Sequence, residues 1–482
     1  MSTASEINLA IRAYADTLEK DFYEFVKDSW STVEPHTEFK DNWHIEAVCK
    51  HLQAVADGRI RRLVINIPPR SMKSTLVSVM FPAWVWTFKA GAKFLSSSYA
   101  QNLSTRDSLK SRRLILSDWY QRLWGDKVKL SGDQNLKMRY DNDQAGYRIA
   151  TSTGGALTGE GGDFIIVDDP TNAIDSDNSS ALLSTSDWFD HAMSTRLNDP
   201  KTGAFIIVMQ RLNEHDLTGH ILKKGGYDHL CITGEFEKDH PTKSKTILGF
   251  TDPRKVDGEI LWPDRSGTSE LDELKKALGS RQYNGQVQQR PVSAQGEIIL
   301  RRYIKFIDTL PSFKPSDITI SVDLTFGGGD DNDRNAFQVW GCEGVRHYLI
   351  EAHALNIAFT EQRRKILDLA TKYKGATVII ENKANGSAAM SDLKGFIPNM
   401  IGIEKDRDKM SYLSAVAPMF EAGDVFFHSS TIECVEELIA FPKGRYKDHV
   451  DACSQYLNRV RNGATIANNT IIHKSNLGKM KF

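Results

Sequence analysis

Residues 63–75 read LVINIPPRSMKST: an apolar β-type run, a Pro-Pro corner, then Arg-x-x-Lys-Ser-Thr opening a strongly apolar segment. That order constrains the chain to a strand, a tight loop and a buried helix, the arrangement that holds phosphate. The strand aims the loop, backbone N–H groups surround the anion, and the positive end of the following helix favours its charge. On this reading Pro69, Arg70, Ser71, Met72, Lys73, Ser74 and Thr75 line a nucleotide, Lys73 reaches its β/γ-phosphates and Ser74 holds Mg²⁺. Ile67 and Met72 stand where the G-x-x-x-x-G-K-S/T pattern has its glycines. Taken alone, therefore, the stretch is equally an ordinary strand-turn-helix corner with an exposed lysine.

A second stretch changes that balance. FIIVDDP is a fully apolar run ending in Asp168 and Asp169. An acid at the carboxyl end of a buried strand sits where a nucleotide's Mg²⁺ is held, and a second acid directly after it can polarise the attacking water. Asp168 is accordingly assigned to Mg²⁺ and Asp169 to the base role; a solvated Asp-Asp-Pro turn is the structural alternative. Further β-type runs at 93–98, 147–151, 164–167, 204–209 and 229–233, with helical stretches between several of them, predict a mostly parallel sheet covered on both faces. VMQRLNEHDL places Gln210 and Arg211 at the same sheet edge. The apolar helix after the loop is expected to kink at Pro82. Residues 5–30 put Ile7, Leu9, Ile11, Tyr14, Leu18 and Phe22 on one stripe of a leading helix. In the next helix Trp43 or His44 could stack under a base, with core packing the stronger reading for each.

At 482 residues the chain has room for two or more domains, each with its own core. Its formal charge of −1 shows no global basic field, so nucleic-acid contact requires local patches. Five cysteines lack C-x-x-C spacing, which argues for a reducing compartment and against a disulfide frame. With no bilayer-length apolar run, a soluble intracellular protein is expected. Changes of character along the chain divide it into a first domain at 1–240, a linker subdomain at 241–305, a second domain at 306–465 and a basic tail at 466–482.

The second domain supplies acids from three separate elements. SDITISVDLTF reads as the first strand of an antiparallel meander, with Asp323 mid-strand and on the face opposite Ile318, Ile320 and Val322. ATVIIENKANG is a strand ending in Glu381. KDHVDACSQYLNRVRNG is an amphipathic helix with Val450, Cys453, Leu457 and Val460 as its buried stripe, and its first turn carries Asp448 and Asp451 on one face. Singly these acids have structural readings, Asp448 as an N-cap and Asp451 as a first-turn acid. Together they form the kind of carboxylate set that binds divalent ions and hydrolyses phosphodiesters, while Asp330, Asp331 and Asp333 read as a solvated hairpin tip.

The ordered set IPPRSMKST, FIIVDDP, VMQRLNEHDL, SVDLTF, VIIENKANG and RYKDHVDA resembles the large terminase subunit of tailed bacteriophages over roughly residues 40–460. The resemblance implies an α/β chain with an N-terminal P-loop (ASCE-type) ATPase domain and a C-terminal ribonuclease H-like nuclease domain. It implies ATP-driven movement of double-stranded DNA into a procapsid and cutting of concatemeric DNA by two-metal hydrolysis, with Mg²⁺, or Mn²⁺ in its place at the nuclease site. Lys73, Ser74 and Asp168 would carry nucleotide and metal. Asp169 stands where the family usually has Glu. Asp323, Glu381 and Asp451 would form the nuclease metal site, with Asp448 a fourth member. The implied partners are the small terminase subunit and the portal, with a homo-oligomeric ring when docked; the implied location is the host cytoplasm.

Two departures stand out. The family's candidate arginine finger falls where this chain reads Gly159-Glu160-Gly161, which carries the wrong charge, so Arg70, Arg148 and Arg211 are the alternatives and Arg70 ranks first by position. Asp169 is one methylene shorter than Glu. Two other readings remain: a helicase or remodelling ATPase, which would need a second motor lobe in place of the carboxylates, and a non-catalytic DNA-binding scaffold, which leaves the acids without joint purpose.

Overall fold

The computed structural model describes residues 4–155, 159–291, 298–325, 334–383, 385–405, 408–444 and 446–477, side chains of 4, 5, 385 and 464–477 aside. The chain forms two compact units, Met1–Ser293 and Ala294–Phe482. The hairpin-tip acids Asp330, Asp331 and Asp333, and the last residues of the basic tail, 478–482, lie outside the described residues.

The first unit is built on strands β1 (Arg62–Asn66), β2 (Lys93–Ser98), β3 (Leu130–Asn135), β4 (Arg139–Asn142), β5 (Tyr147–Ser152), β6 (Phe164–Asp168), β7 (Ala204–Met209) and β8 (Asp228–Cys231). Their order across the sheet is β3-β4-β5-β2-β6-β7-β1-β8. The pairings from β5 to β8 are parallel; β3-β4 and β4-β5 are antiparallel. Of this polar, turn-rich edge β5 was read from the sequence, whereas β3 and β4 were not, because they carry too little apolar alternation. β7 lies between the loop-bearing β1 and the acid-ended β6, the additional strand of an ASCE-type sheet. Every residue of β6 and β7 is buried, which accounts for their continuous apolar runs. Ile206, wholly buried and in register with Leu63 and Ile166, sits at the middle of this core. Ile206→Ala is expected to cost about 2–5 kcal/mol, read as an earlier urea transition with unchanged slope.

Two local expectations change. The leading helix is two helices, Ala4–Lys20 and Phe22–Val33, split where Asp21 caps the second by accepting from the Tyr23 and Glu24 amides. Leu18 and Phe22 are buried, whereas Ile7, Leu9 and Tyr14 are exposed, so only the carboxyl end of the predicted stripe packs. After the loop, residues Thr75–Met80 wind as a π-helix before Phe81–Phe88 continue as an α-helix. The Phe81 amide donates to the Leu76 carbonyl, five residues back, and Pro82 falls in the first turn of the α-helix, where its missing N–H costs least.

In the second unit β9 (Lys305–Ile307), β10 (Ile318–Asp323), β11 (Asn335–Glu343), β12 (Arg346–Leu355), β13 (Thr377–Glu381), β14 (Met400–Ile403) and β15 (Val425–His428) make one sheet. Its order is β14-β13-β10-β11-β12-β15-β9. β10, β11 and β12 form the expected antiparallel meander, and β13 joins β10 in parallel. Ile320 and Val322 pack toward the helix Phe359–Lys372, while Ser321 donates to the Ala452 carbonyl on the opposite face, under the helix Asp448–Leu477. Val450, Cys453 and Leu457 are buried in that second core, with Val460 at its margin. All five cysteines are free.

Candidate active sites

In the first unit the chain leaves β1 through Pro68 and Pro69 and turns sharply. Arg70 and Met72 both have φ of +65°, the left-handed region that glycine occupies at least cost. Met72 therefore adopts a glycine-type conformation at a position where the motif has glycine, and its side chain is buried. Ser71 Oγ donates to the Pro68 carbonyl at 2.6 Å and closes the turn. The loop delivers Lys73, whose Nζ lies 2.8 Å from Asp169, and Ser74, whose hydroxyl donates to Asp168 at 3.1 Å. Ser78, one turn on, donates to the other Asp168 oxygen at 2.8 Å. Because β-branched residues tolerate positive φ poorly, Met72→Val is expected to weaken nucleotide binding about tenfold while Met72→Gly retains it. Fluorescent-nucleotide titration measures both.

Burial first, then the Asp169 and Asp107 charges, push the Asp168 carboxyl up to about 7, against the pull of Lys73 and the Ser78 hydrogen bond. A hydroxyl and a carboxylate at a strand end are a donor pair that Mg²⁺ accepts beside phosphates. The loop opens on a cavity of about 590 Å³, within the ordinary size of a small-molecule site. Pro69, Arg70, Met72, Lys73, Ser74 and Thr75 line it, with Asp168, Asp169 and Gln210 opposite. Ser71 lies beneath the loop, buried and turned back on Pro68.

The aromatic side chains on this cavity are Trp30 and Tyr99, not Trp43 or His44. Trp43 stacks on Phe250, and His44 is buried against Trp262. Of the three arginines considered, Arg70 lines the cavity. Arg211 is buried and bound through Nε to both Asp216 oxygens, and Arg148 is wholly buried on β5. Glu160 pairs with Arg139 at 2.9 Å. The Gln210 amide donates to Asp169 at 3.4 Å, and the Arg211 amide to buried Gln289 at 2.9 Å.

In the second unit the acids converge as their elements dictate. Asp323 is the last residue of β10, not mid-strand, and Glu381 the last of the adjacent β13. Gln455 pins the helix bearing Asp451 to both strands, donating to Ser321 Oγ, the Val322 carbonyl and the Ile379 carbonyl at 3.2–3.4 Å. Asp451, one turn earlier, is thereby held over the two strand ends. At their centre lies a cation that the motifs did not disclose: Lys405 Nζ is 2.9 Å from Glu381 and 3.6 Å from both Asp323 and Asp451. Lys409 pairs with the second Asp451 oxygen.

Burial raises the Asp323 carboxyl to about 7, opposed by Lys405 and reinforced by Asp451 and Glu381. For Lys405, burial works against the charged form, but the three carboxylates outweigh it and hold the ammonium well above its ordinary range. The all-oxygen donor set suits Mg²⁺ or Mn²⁺. Its spacing around the ammonium is wider than the ~2.0–2.1 Å that Mg²⁺ requires, and no three His, Cys, Asp or Glu among the described residues are spaced to hold an ion as they stand.

Asp448 is placed differently. Its carboxylate lies 3.3 Å from Arg334, which also binds Glu433 at 2.6 Å and Glu437 at 2.9 Å and lies over the Tyr446 ring. The structure thus brings Asp323, Glu381 and Asp451 together and sets Asp448 beside them in an arginine-centred cluster. Lys405, Lys409 and Arg334 went unread because scattered basic residues outside an apolar pattern carry no spacing signal. The only hint was two lysines four apart just after a short strand.

Residues 320–459 match the family model described as the terminase RNaseH-like domain. The second unit carries a terminase RNaseH-like domain. Over the longer chain, the large terminase of the thermophilic bacteriophage D6E is similar in fold, with a TM-score of 0.52 at 11% identity, covering 90% of this chain and 98% of that one. The same D6E protein in complex with ATP-gamma-S gives a TM-score of 0.50 at 12% identity over the same shares, and in complex with ADP 0.50 at 11% over 85% and 98%. At these identities the likeness is one of fold. No curated protein sequence matches. The mixed α/β architecture, with a terminase RNaseH-like domain following a nucleotide-type sheet, is the one that the resemblance implied.

Proposed function

We propose that this chain is the large subunit of a phage terminase, which hydrolyses ATP to move double-stranded DNA into a procapsid and cuts the concatemer by metal-dependent phosphodiester hydrolysis. One observation carries the reading: each compact unit has its own polar site, and the two are chemically complementary. In the first, a buried lysine and two strand-end acids face a nucleotide-sized cavity; in the second, three acids converge on one cation.

In the first site Lys73 exchanges Asp169 for the β/γ-phosphate charge of the substrate, which frees Asp169 to accept a proton from water. Ser74 and Asp168 are the residues that would hold Mg²⁺, which supplies charge neutralisation at the phosphates. The remaining loop residues Pro69, Arg70, Ser71, Met72 and Thr75 shape the phosphate cradle, and Arg70, which lines the cavity with Arg106 and Arg265, is our candidate to stabilise the transferring phosphoryl group. In the second site Asp323, Glu381 and Asp451 would hold Mg²⁺ or Mn²⁺, which activates water and stabilises the leaving oxygen. Asp448, the fourth member by motif, lies beside them and is paired with Arg334. DNA, the small terminase subunit and the portal are the partners of this reading, with a homo-oligomeric ring at the portal and the host cytoplasm as the setting. Among the described residues no helix is long and apolar enough to cross a membrane.

The test pairs two assays on the purified chain: supercoiled plasmid with Mn²⁺, with and without EDTA, and ATP hydrolysis with and without double-stranded DNA. EDTA-sensitive nicking together with DNA-stimulated hydrolysis is expected. Hydrolysis without nicking would return the chain to the helicase reading, and neither activity would leave only a scaffold.

A further inference from the structure

We propose that Lys405 is a built-in cation of the nuclease site, so that its carboxylates take one divalent ion and Lys405 stands in place of a second. The inference deepens the nuclease reading and rests on it. The first support is position. Ile401 and Ile403 of β14 pack toward the core beneath the Asp451 helix, and Ile403 is in register with Glu381. Continuing the alternation by one step puts Lys405 on the same face, beside Asp451. The Asn382 amide donates to the Ile403 carbonyl at 2.7 Å, fixing the backbone just before it. Its side chain is 10% exposed, whereas that of Lys409 is 52% exposed. Lys405 is thus part of the floor of the site, set there by strand register.

Charge is the second support. Among the described residues three carboxylates face two ammonium groups, a deficit of one positive charge. One divalent ion turns this into an excess of one, which a single phosphodiester neutralises. Two ions would leave an excess of three in a buried setting, where unbalanced charge is costly.

Donor supply is the third. The nearest contacts of Lys405 and Lys409 fall on Asp323, Glu381 and both oxygens of Asp451. One or two carboxylates completed by substrate phosphate oxygens is how Mg²⁺ is commonly held, so three carboxylates already shared with two ammonium groups supply enough oxygens for one ion.

Counting bound Mn²⁺ on the full chain without nucleotide, by electron paramagnetic resonance, tests this in the wild type, Asp323→Asn, Lys405→Met and Lys405→Arg. The wild type is expected to bind one ion that Asp323→Asn lacks. Lys405→Arg should keep the wild-type number, and Lys405→Met should gain one ion with a spin-coupled pair signal. A coupled pair already present in the wild type, or an unchanged number in folded Lys405→Met, overturns the assignment. If Lys405→Met does not fold, the wild-type number alone decides. Plasmid nicking separates the two levels: Asp323-dependent nicking by a wild type with a coupled pair sinks only the role of Lys405, whereas nicking that survives in Asp323→Asn sinks the nuclease reading beneath it.

Discussion

Lys73→Ala is expected to lower DNA-stimulated ATP hydrolysis by at least about a hundredfold, the scale on which one preorganised charge at a reacting centre acts, while Mn²⁺-dependent plasmid nicking continues. The Lys73 ammonium is the cation that the loop carries deepest into the cavity, and its side chain is 8% exposed. Without it, Asp168 and Asp169 face incoming phosphates with their own negative charge unrelieved. Lys73→Arg should recover little, because a planar fork does not replace a point charge in a cradle shaped for one. Phosphate release measured with and without double-stranded DNA gives the answer; hydrolysis within a fewfold of wild type would remove Lys73 from the chemistry and return the loop to an ordinary corner. Nicking should persist because the carboxylate cluster belongs to a separate compact unit with its own core.

Asp323→Asn should give the reverse: nicking reduced by more than about a hundredfold, as expected when a direct metal ligand is removed and not merely its support, with ATP hydrolysis retained. The change keeps the shape of the side chain and removes its charge. It therefore isolates electrostatics at a buried position 3.6 Å from Lys405. Raising Mn²⁺ should not restore full activity, since the end of β10 would then carry a neutral amide in place of a charged ligand. Gel quantification of nicked plasmid, run beside the ATP assay on the same preparation, measures both. Loss of both activities together would point to misfolding of the chain and loss of neither to a wrong site, so the opposite pattern in Lys73→Ala is the necessary partner of this result.

The sequence disclosed elements that combine an apolar run with a chemically distinctive end. β6 ending in Asp168, β13 ending in Glu381 and the helix beginning at Asp448 were legible because burial and charge alternate sharply there. The meander β10-β11-β12 was legible from its alternation, although Asp323 proved to close its strand. What stayed hidden depended on partners distant in the chain. Asp448 and Asp451 share a helix face by spacing, yet Arg334 draws one aside while Lys405 and Lys409 hold the other. Trp30 reaches the cavity beside the loop from a helix before the sheet begins, and no local pattern marks it. Leu9 obeyed helical periodicity but stays exposed.

The left-handed turns at Arg70 and Met72 have an energetic consequence for the first step of any cycle. A glycine-rich loop takes its shape without steric penalty, but it gives up a large conformational freedom when it closes on a ligand. Here the penalty is met during folding, by burying the Met72 side chain and by the Ser71 bond to Pro68, so the loop enters solution already set. On the proposed function, ATP would meet a cradle with little left to order, and more of its contact energy would be available for affinity.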